Sequence, residues 1–304
     1  MLTENMNSFL SEQKLQNLYH PHIVELRHVE RIQNIGIIAT ELLATDLMSI
    51  LERQQRIEFE QAKYFFFQIC SAVSYSHSKN VAHLDLKPEN IFLDNTLSVR
   101  VGDWGSSVGF SPKVPHCGNV IGTFFYCSPE MLAGKKYFPD KCDIWSLGIL
   151  LHTMVTGKWP YYGDTEAEIY DRVRSGGVKI ETCFGSEFVD LVSSLLRVEP
   201  YLRLSCDEIL LHPWLASVNP QTRGNHKHKK SAKLFDGLSR KQKKEERDTG
   251  RERNDEICLP ELSDKLPDET MSNLRAILDD APTKRKKPSI TNALYKGVRK
   301  IISQ

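Results

Sequence analysis

The chain has 304 residues, 40% apolar and 26% charged, with a formal net charge of +1; these are ordinary values for a globular protein able to bury a substantial core. Residues 1–217 carry 19 Lys and Arg against 26 Asp and Glu, and residues 218–304 carry 21 against 13, so an acidic body bears a basic tail. No apolar run approaches the ~18 residues of a membrane span, MLTENMNSFL has no secretory-signal pattern, and seven cysteines, never spaced CxxC, exclude a zinc ribbon or disulfide scaffold in favour of free thiols in a reducing compartment.

In chain order, the first predicted helix covers residues 5–19, with Phe9, Leu15 and Leu18 on one face. Pro21 then forces an extended continuation. Short strands are predicted near Ile23–Arg27 and Gly36–Thr40, the second rich in β-branched residues. Residues 46–53 and 59–79 carry apolar side chains at three- and four-residue spacing, Phe59, Ala62, Phe66, Ile69 and Val73 among them, and predict helices packed on a core. Tyr64, Phe65, Phe66 and Phe67 are read as core of the second. Strands and loops are expected over 81–105, and helices over 141–215. From Asn219 the composition changes to basic runs that cannot form a core, and 219–255 reads as solvated linker. Two amphipathic stretches follow: Asp268–Asp280, with Met271, Leu274 and Leu278, and Ser289–Ser303, with Ile290, Leu294, Val298 and Ile302. Docking on the chain's own body is expected for both, with a partner or membrane surface as the alternative.

Chemistry concentrates in Val81–Leu93, VAHLDLKPENIFL, where Asp85, Lys87 and Asn90 stand at offsets zero, two and five. Asp103-Trp104-Gly105 begins eighteen residues after Asp85. Gly122-Thr123-Phe-Phe-Tyr126-Cys-Ser128-Pro129-Glu130, Asp143-Ile-Trp145-Ser-Leu-Gly148, Arg203 and His212-Pro-Trp214-Leu215 follow in order. Together these motifs resemble the eukaryotic protein kinases of Ser/Thr type over about Leu15 to Leu215, nearest the calmodulin-dependent and AMP-activated group.

The resemblance implies an α+β, protein-kinase-like two-lobe fold: a truncated small lobe and hinge over 1–44, a mainly helical large lobe over 45–217 and a basic, partly disordered tail over 218–304. It implies transfer of the ATP γ-phosphate to Ser or Thr of protein substrates. Asp85 would orient the hydroxyl and accept its proton, Lys87 would contact the transferred phosphate, and Thr123 would hydrogen-bond near both. Asn90 and Asp103 would hold Mg²⁺, a hard cation suited to oxygen ligands. Glu41 and Leu43 would offer backbone hydrogen bonds to adenine beyond a gatekeeper Thr40, and Asp46 would meet the ribose. His83, Glu130, Asp143 and Arg203 would be structural. Trp104, where Phe is commoner, is expected to keep its packing. Glu89, with Asp46, would place carboxylates where basic residues upstream of the target Ser bind, a basophilic preference.

Two departures stand beside the resemblance. The sequence shows neither a Gly-rich loop nor the strand lysine that grips the α/β-phosphates. Ser11 occupies the place of the helix glutamate, Glu12 lies one residue away, and Lys14 is on the helix. A lobe of one helix and two strands would leave an apolar sheet edge unpaired. The favoured expectation is a natural chain that starts upstream; strands supplied by a partner, or a catalytically inactive pseudokinase acting as scaffold or regulatory binding protein, are the alternatives. The second departure is Leu84, where many kinases place an Arg that grips an activation-loop phosphate. Asn119, nine residues before Ser128, has no hydroxyl. Activity independent of phosphorylation at that position is expected. Outside the active site, Pro282–Pro288 resembles a basic nuclear-import signal, and the location expected is cytoplasmic, nuclear or both. The tail is also a surface for a regulatory partner. Nucleic acid is not an expected partner, since the basic runs lack aromatic residues for stacking.

Overall fold

The computed structural model of the chain describes residues 2–3, 16–32, 35–116 and 120–219. The helix expected over 5–19 lies outside the described residues up to residue 15, as do both amphipathic stretches of the tail and Asn119.

Three small sheets are present among the described residues. β1 (Leu2–Thr3), β2 (Leu26–Ile32) and β3 (Ile35–Thr40) form one in the order β1-β3-β2. β4 (Thr45–Asp46), β6 (Ile91–Leu93) and β7 (Val99–Val101) form a second in the order β4-β6-β7, and β5 (Val81–Ala82) pairs with β8 (Val108–Gly109). Two expectations are corrected. The strand predicted near Ile23–Arg27 starts at Leu26, because the backbone before it bonds elsewhere: Val24 N–H donates to Val101 O at 2.9 Å, and Val101 N–H to His22 O at 2.8 Å. β3 is also not left as an unpaired edge, since Leu2 and Thr3 pair with Ile37 and Gly36 on one side while β2 pairs on the other.

Helices dominate from residue 47. α1 (Leu47–Gln54) is capped by Asp46, whose Oδ1 accepts from Ser49 N at 2.7 Å. α2 (Phe59–Ser78) buries Ala62, Phe65, Phe66, Ile69, Cys70 and Val73, the spacing of one helix face. Phe65 and Phe66 are core as expected, but Tyr64 turns to solvent. Trp214 closes the face edge-on to Phe59 and Phe66. Beyond the short α3 (Pro129–Leu132), α4 (Pro139–Thr156) is buried nearly all round; it starts at a Pro and ends at Gly157 in the left-handed conformation. A Cβ on Gly148 would lie 2.7 Å from Leu196 Cδ2 and 2.9 Å from Leu195 Cβ, so this glycine lets α4 close on α6 (Ser186–Leu195). α5 (Glu166–Ser175) and α7 (Cys206–Leu210) complete the body, α7 starting with a Ser205/Glu208 capping box.

Arg203, fully enclosed, ties these helices together. Both its terminal nitrogens bond Glu130 carboxylate oxygens at 2.7 Å, and its other donors reach the carbonyls of Arg197, Lys141 and Val198. A bidentate pair with every donor used is stable where it stands, but removing one partner strands a buried charge. Arg203→Met should therefore lower the unfolding free energy by ~3–5 kcal/mol, measured by urea denaturation, and the double variant Arg203→Met/Glu130→Met should recover part of that loss.

Candidate active site

The site grows from one buried carboxylate. Asp143, on the first turns of α4, is fully buried and accepts three hydrogen bonds of 2.8 Å: from His83 N to Oδ2, from Leu84 N to Oδ1, and from His77 Nε2 to Oδ2. It thereby holds the loop after β5 in an unusual shape. Leu84 sits at φ 63°, a region bulky side chains rarely enter, and is 4% exposed. His83 Nδ1 accepts from Asp85 N at 3.2 Å and Nε2 donates to Gly102 O at 3.0 Å, which sets its ring tautomer. Asp85 follows, 8% exposed.

Four expected residues meet at Asp85. Lys87 Nζ donates to Asp85 Oδ2 at 2.7 Å and to Thr123 Oγ1 at 2.8 Å, and Thr123 Oγ1 donates to Asp85 Oδ1 at 2.8 Å. Asn90 Nδ2 donates to Asp85 O at 2.8 Å and to Asp85 Oδ2 at 3.2 Å. Burial pushes the Asp85 carboxyl up, but the hydrogen bonds from Lys87 and Thr123 and the Lys87 charge outweigh it and hold it below the ordinary value. Asp85 is ionised at neutral pH. Asn90 spends its amide nitrogen on Asp85, which leaves its carbonyl oxygen as the available ligand. Gly102 N donates to Asn90 O at 3.0 Å, tying Asp103 to the same loop, and Asp103 itself stands at φ 58°. Trp104 keeps the packing expected of an aromatic there: it is fully buried, donates Nε1–H to Val101 O at 3.2 Å and lies 4.6 Å, ring to ring, from His83.

The hinge residues serve two masters. Glu41 N–H donates to Glu25 O at 3.0 Å, and Glu41 Oε1 accepts from Glu25 N at 2.9 Å and pairs with Arg100 at 3.3 Å, so its backbone carbonyl is the group left for a ligand. Leu43 is half-buried. Asp46, expected at the ribose, has both carboxylate oxygens engaged by Ser49 as the cap of α1. Glu89 lies in the short turn Pro88–Asn90; its Oε2 is buried with no partner among the described residues, and burial raises its pKa. Glu130 and Arg203 pair 2.7 Å apart, away from the Asp85 group.

The family model of the protein kinase domain matches residues 2–215. The chain belongs to the protein kinase family. It is 35% identical over 206 residues to the probable serine/threonine-protein kinase MARK-A of Dictyostelium discoideum, an alignment covering 66% of this chain and 19% of that protein. It is 33% identical over 205 residues to the maternal embryonic leucine zipper kinase of Xenopus tropicalis, covering 66% and 31%, and 30% identical over 211 residues to the SNF1-related protein kinase catalytic subunit alpha KIN12 of Arabidopsis thaliana, covering 68% and 42%. The chain thus spans less than half the length of these curated relatives. All three are named kinases, one of them a serine/threonine-protein kinase and one SNF1-related, as the motifs suggested.

One residue of this kinase domain escaped the sequence motifs. His77 lies at the end of α2, 66 positions from the Asp143 it joins, and no local spacing marks it. Gly122 did carry a signal, a glycine directly before Thr123. At φ 91°, a Cβ there would stand 2.2 Å from Leu84 O and 3.3 Å from Asp85 Oδ1, so the segment carrying Gly122 and Thr123 approaches the Leu84–Asp85 loop as closely as backbone allows. Gly122→Ala should separate the two segments, reducing stability by ~1–3 kcal/mol and breaking the Thr123–Asp85 bond, seen as a changed Thr123 resonance. Thr123→Val removes a donor to the charged carboxylate, so the Asp85 pKa should rise, followed by NMR titration of the carboxyl carbon; the stability this group lends above the carboxylate range should then be lost at a higher pH than in the parent.

Proposed function

We propose that this chain carries the phosphoryl-transfer machinery of a protein serine/threonine kinase. The observation that carries the proposal is the closed triangle of Asp85, Lys87 and Thr123, each within 2.8 Å of the other two, around a carboxylate kept ionised. Asp85 would align the substrate hydroxyl and take its proton as the oxygen attacks phosphorus. Lys87, charge-paired with Asp85, would stand against the developing negative charge of the transferred group, and Thr123 would hold both in register. Asn90, through its carbonyl oxygen, and Asp103 would hold Mg²⁺; two hard oxygen ligands suit an ion that completes its shell with phosphates and water. When bound, the ion supplies neutralisation of phosphate charge. The ATP base would meet the Glu41 carbonyl and the Leu43 backbone, with Asp46 towards the ribose.

In this proposal residues 1–44 form the small lobe and hinge, 45–217 the large lobe and 218–304 the tail, placed in cytoplasm, nucleus or both; among the described residues no helix is long and apolar enough to cross a membrane. Glu89 supports a basophilic preference. Its buried, unpartnered Oε2 is relieved by a cation, and a basic side chain upstream of the target Ser would supply one. A pseudokinase scaffold is the second function weighed against phosphoryl transfer.

Labelled phosphate from Mg·ATP should appear on a basic Ser peptide, and Asp85→Asn should reduce the rate ~10²–10⁴-fold. No transfer by the folded parent, with retained partner binding, would establish the scaffold instead. Glu89→Gln should cut the preference for an Arg-containing over an Ala-containing peptide about tenfold, measured as the ratio of kcat/KM values. Phosphatase treatment should leave the rate unchanged, because Leu84 packs with Cys127, Met131 and Tyr137, and with Val108, Phe110 and Ile121 of the activation segment, where an Arg would await a phosphate.

A further inference from the structure

The Asp143 hub has a second arm, which leads away from the catalytic loop. His77 Nε2 meets Asp143 Oδ2 at 2.8 Å, and its other ring nitrogen, Nδ1, lies 3.8 Å from Cys206 Sγ on the first turn of α7. Cys206 is 4% exposed. Phe110 covers the His77 ring edge-on at 5.8 Å. A continuous path therefore runs from α7 through the end of α2 and the start of α4 to the amides of His83 and Leu84, directly before Asp85.

Donor and acceptor accounting fixes the direction of each bond. A carboxylate oxygen only accepts, so Nε2 carries the proton it shares with Asp143. In the neutral ring Nδ1 is then the acceptor. Burial pushes the Cys206 thiol well up, so it is an S–H and can donate. Every polar atom of the path has a partner with the thiol in place, and on this half-buried ring Nδ1 would lose its protein partner without it.

We propose that Cys206 is a positioning residue: its S–H, bonded to His77 Nδ1, locks the imidazole in the plane that aims Nε2–H at Asp143, and so stiffens the left-handed turn at Leu84 that presents Asp85. Sequence offers no hint of this, since the pair is 129 positions apart. The consequence for catalysis rests on the phosphoryl-transfer function proposed above; the hydrogen-bond path does not.

The test compares the full chain with Cys206→Val, which keeps the volume and removes the donor, and Cys206→Ser, which keeps a donor. The readouts are the ¹⁵N resonance of His77 Nδ1 and hydrogen exchange at the His83 and Leu84 amides, with the core amide of Leu150 as control for global stability. In Cys206→Val the Nδ1 resonance should move, and exchange at His83 and Leu84 should quicken about tenfold relative to Leu150, the worth of one net hydrogen bond; Cys206→Ser should stay within about threefold of the parent. The proposal is overturned if Cys206→Val leaves Nδ1 and both amides unchanged relative to Leu150, or if Cys206→Ser is as perturbed as Cys206→Val, which would make the role one of packing. Neither readout requires turnover, so a catalytically silent parent would remove only the kinase proposal.

Discussion

A single carboxylate with no solvent contact organises the loop that carries Asp85. Asp143 costs free energy to bury and is kept only because three donors converge on it. Two are backbone amides of the loop carrying Asp85, so the central helix dictates that loop's conformation. The unfavourable φ of Leu84 is the local cost of this arrangement, offset by the hydrogen bonds and by the burial of its side chain. What lies downstream, the Asp85–Lys87–Thr123 triangle and the approach of Gly122, depends on that loop keeping its shape.

The Asp85 loop and the helices after residue 47 were legible in the sequence because their signals are local. Asp85, Lys87 and Asn90 lie within six residues of one loop, and the apolar spacing of α2 marked its buried face apart from Tyr64, which points to solvent. The residues before the first helix were less legible. Ile23 and Val24 have a strand's composition, yet the chain there bonds to β7 across 77 positions or so, and Leu2–Thr3 is too short to leave a periodic signal. His77 and Cys206 act through partners distant in sequence, so nothing in their neighbourhoods pointed to them. Asp46 shows the opposite limit: its place beside the hinge suggested a ligand, while its nearest work is capping α1.

The two carboxylates near the site illustrate how surroundings divide identical chemistry. Asp85 is surrounded by donors and is held charged, whereas Glu89, a few residues on, keeps one oxygen buried without a partner and has its pKa raised by burial. A group prepared to lose its proton reluctantly is one that gains most when a cation arrives. That asymmetry, more than the count of acidic residues, gives the loop its electrostatic character.

The attachment of the activation segment has a thermal signature. It is joined to the body by the apolar cluster around Leu84 and by a bridge in which His116 N donates to Tyr137 O at 2.7 Å and Tyr137 N to His116 O at 3.1 Å. An attachment made of phosphate and guanidinium would loosen in concentrated salt, as screened charges do. One made of leucine, methionine and aromatic rings is indifferent to simple salt, tightens in sulfate and loosens on cooling, as the hydrophobic contribution declines. Temperature, rather than ionic strength, is thus the natural variable for this segment's order.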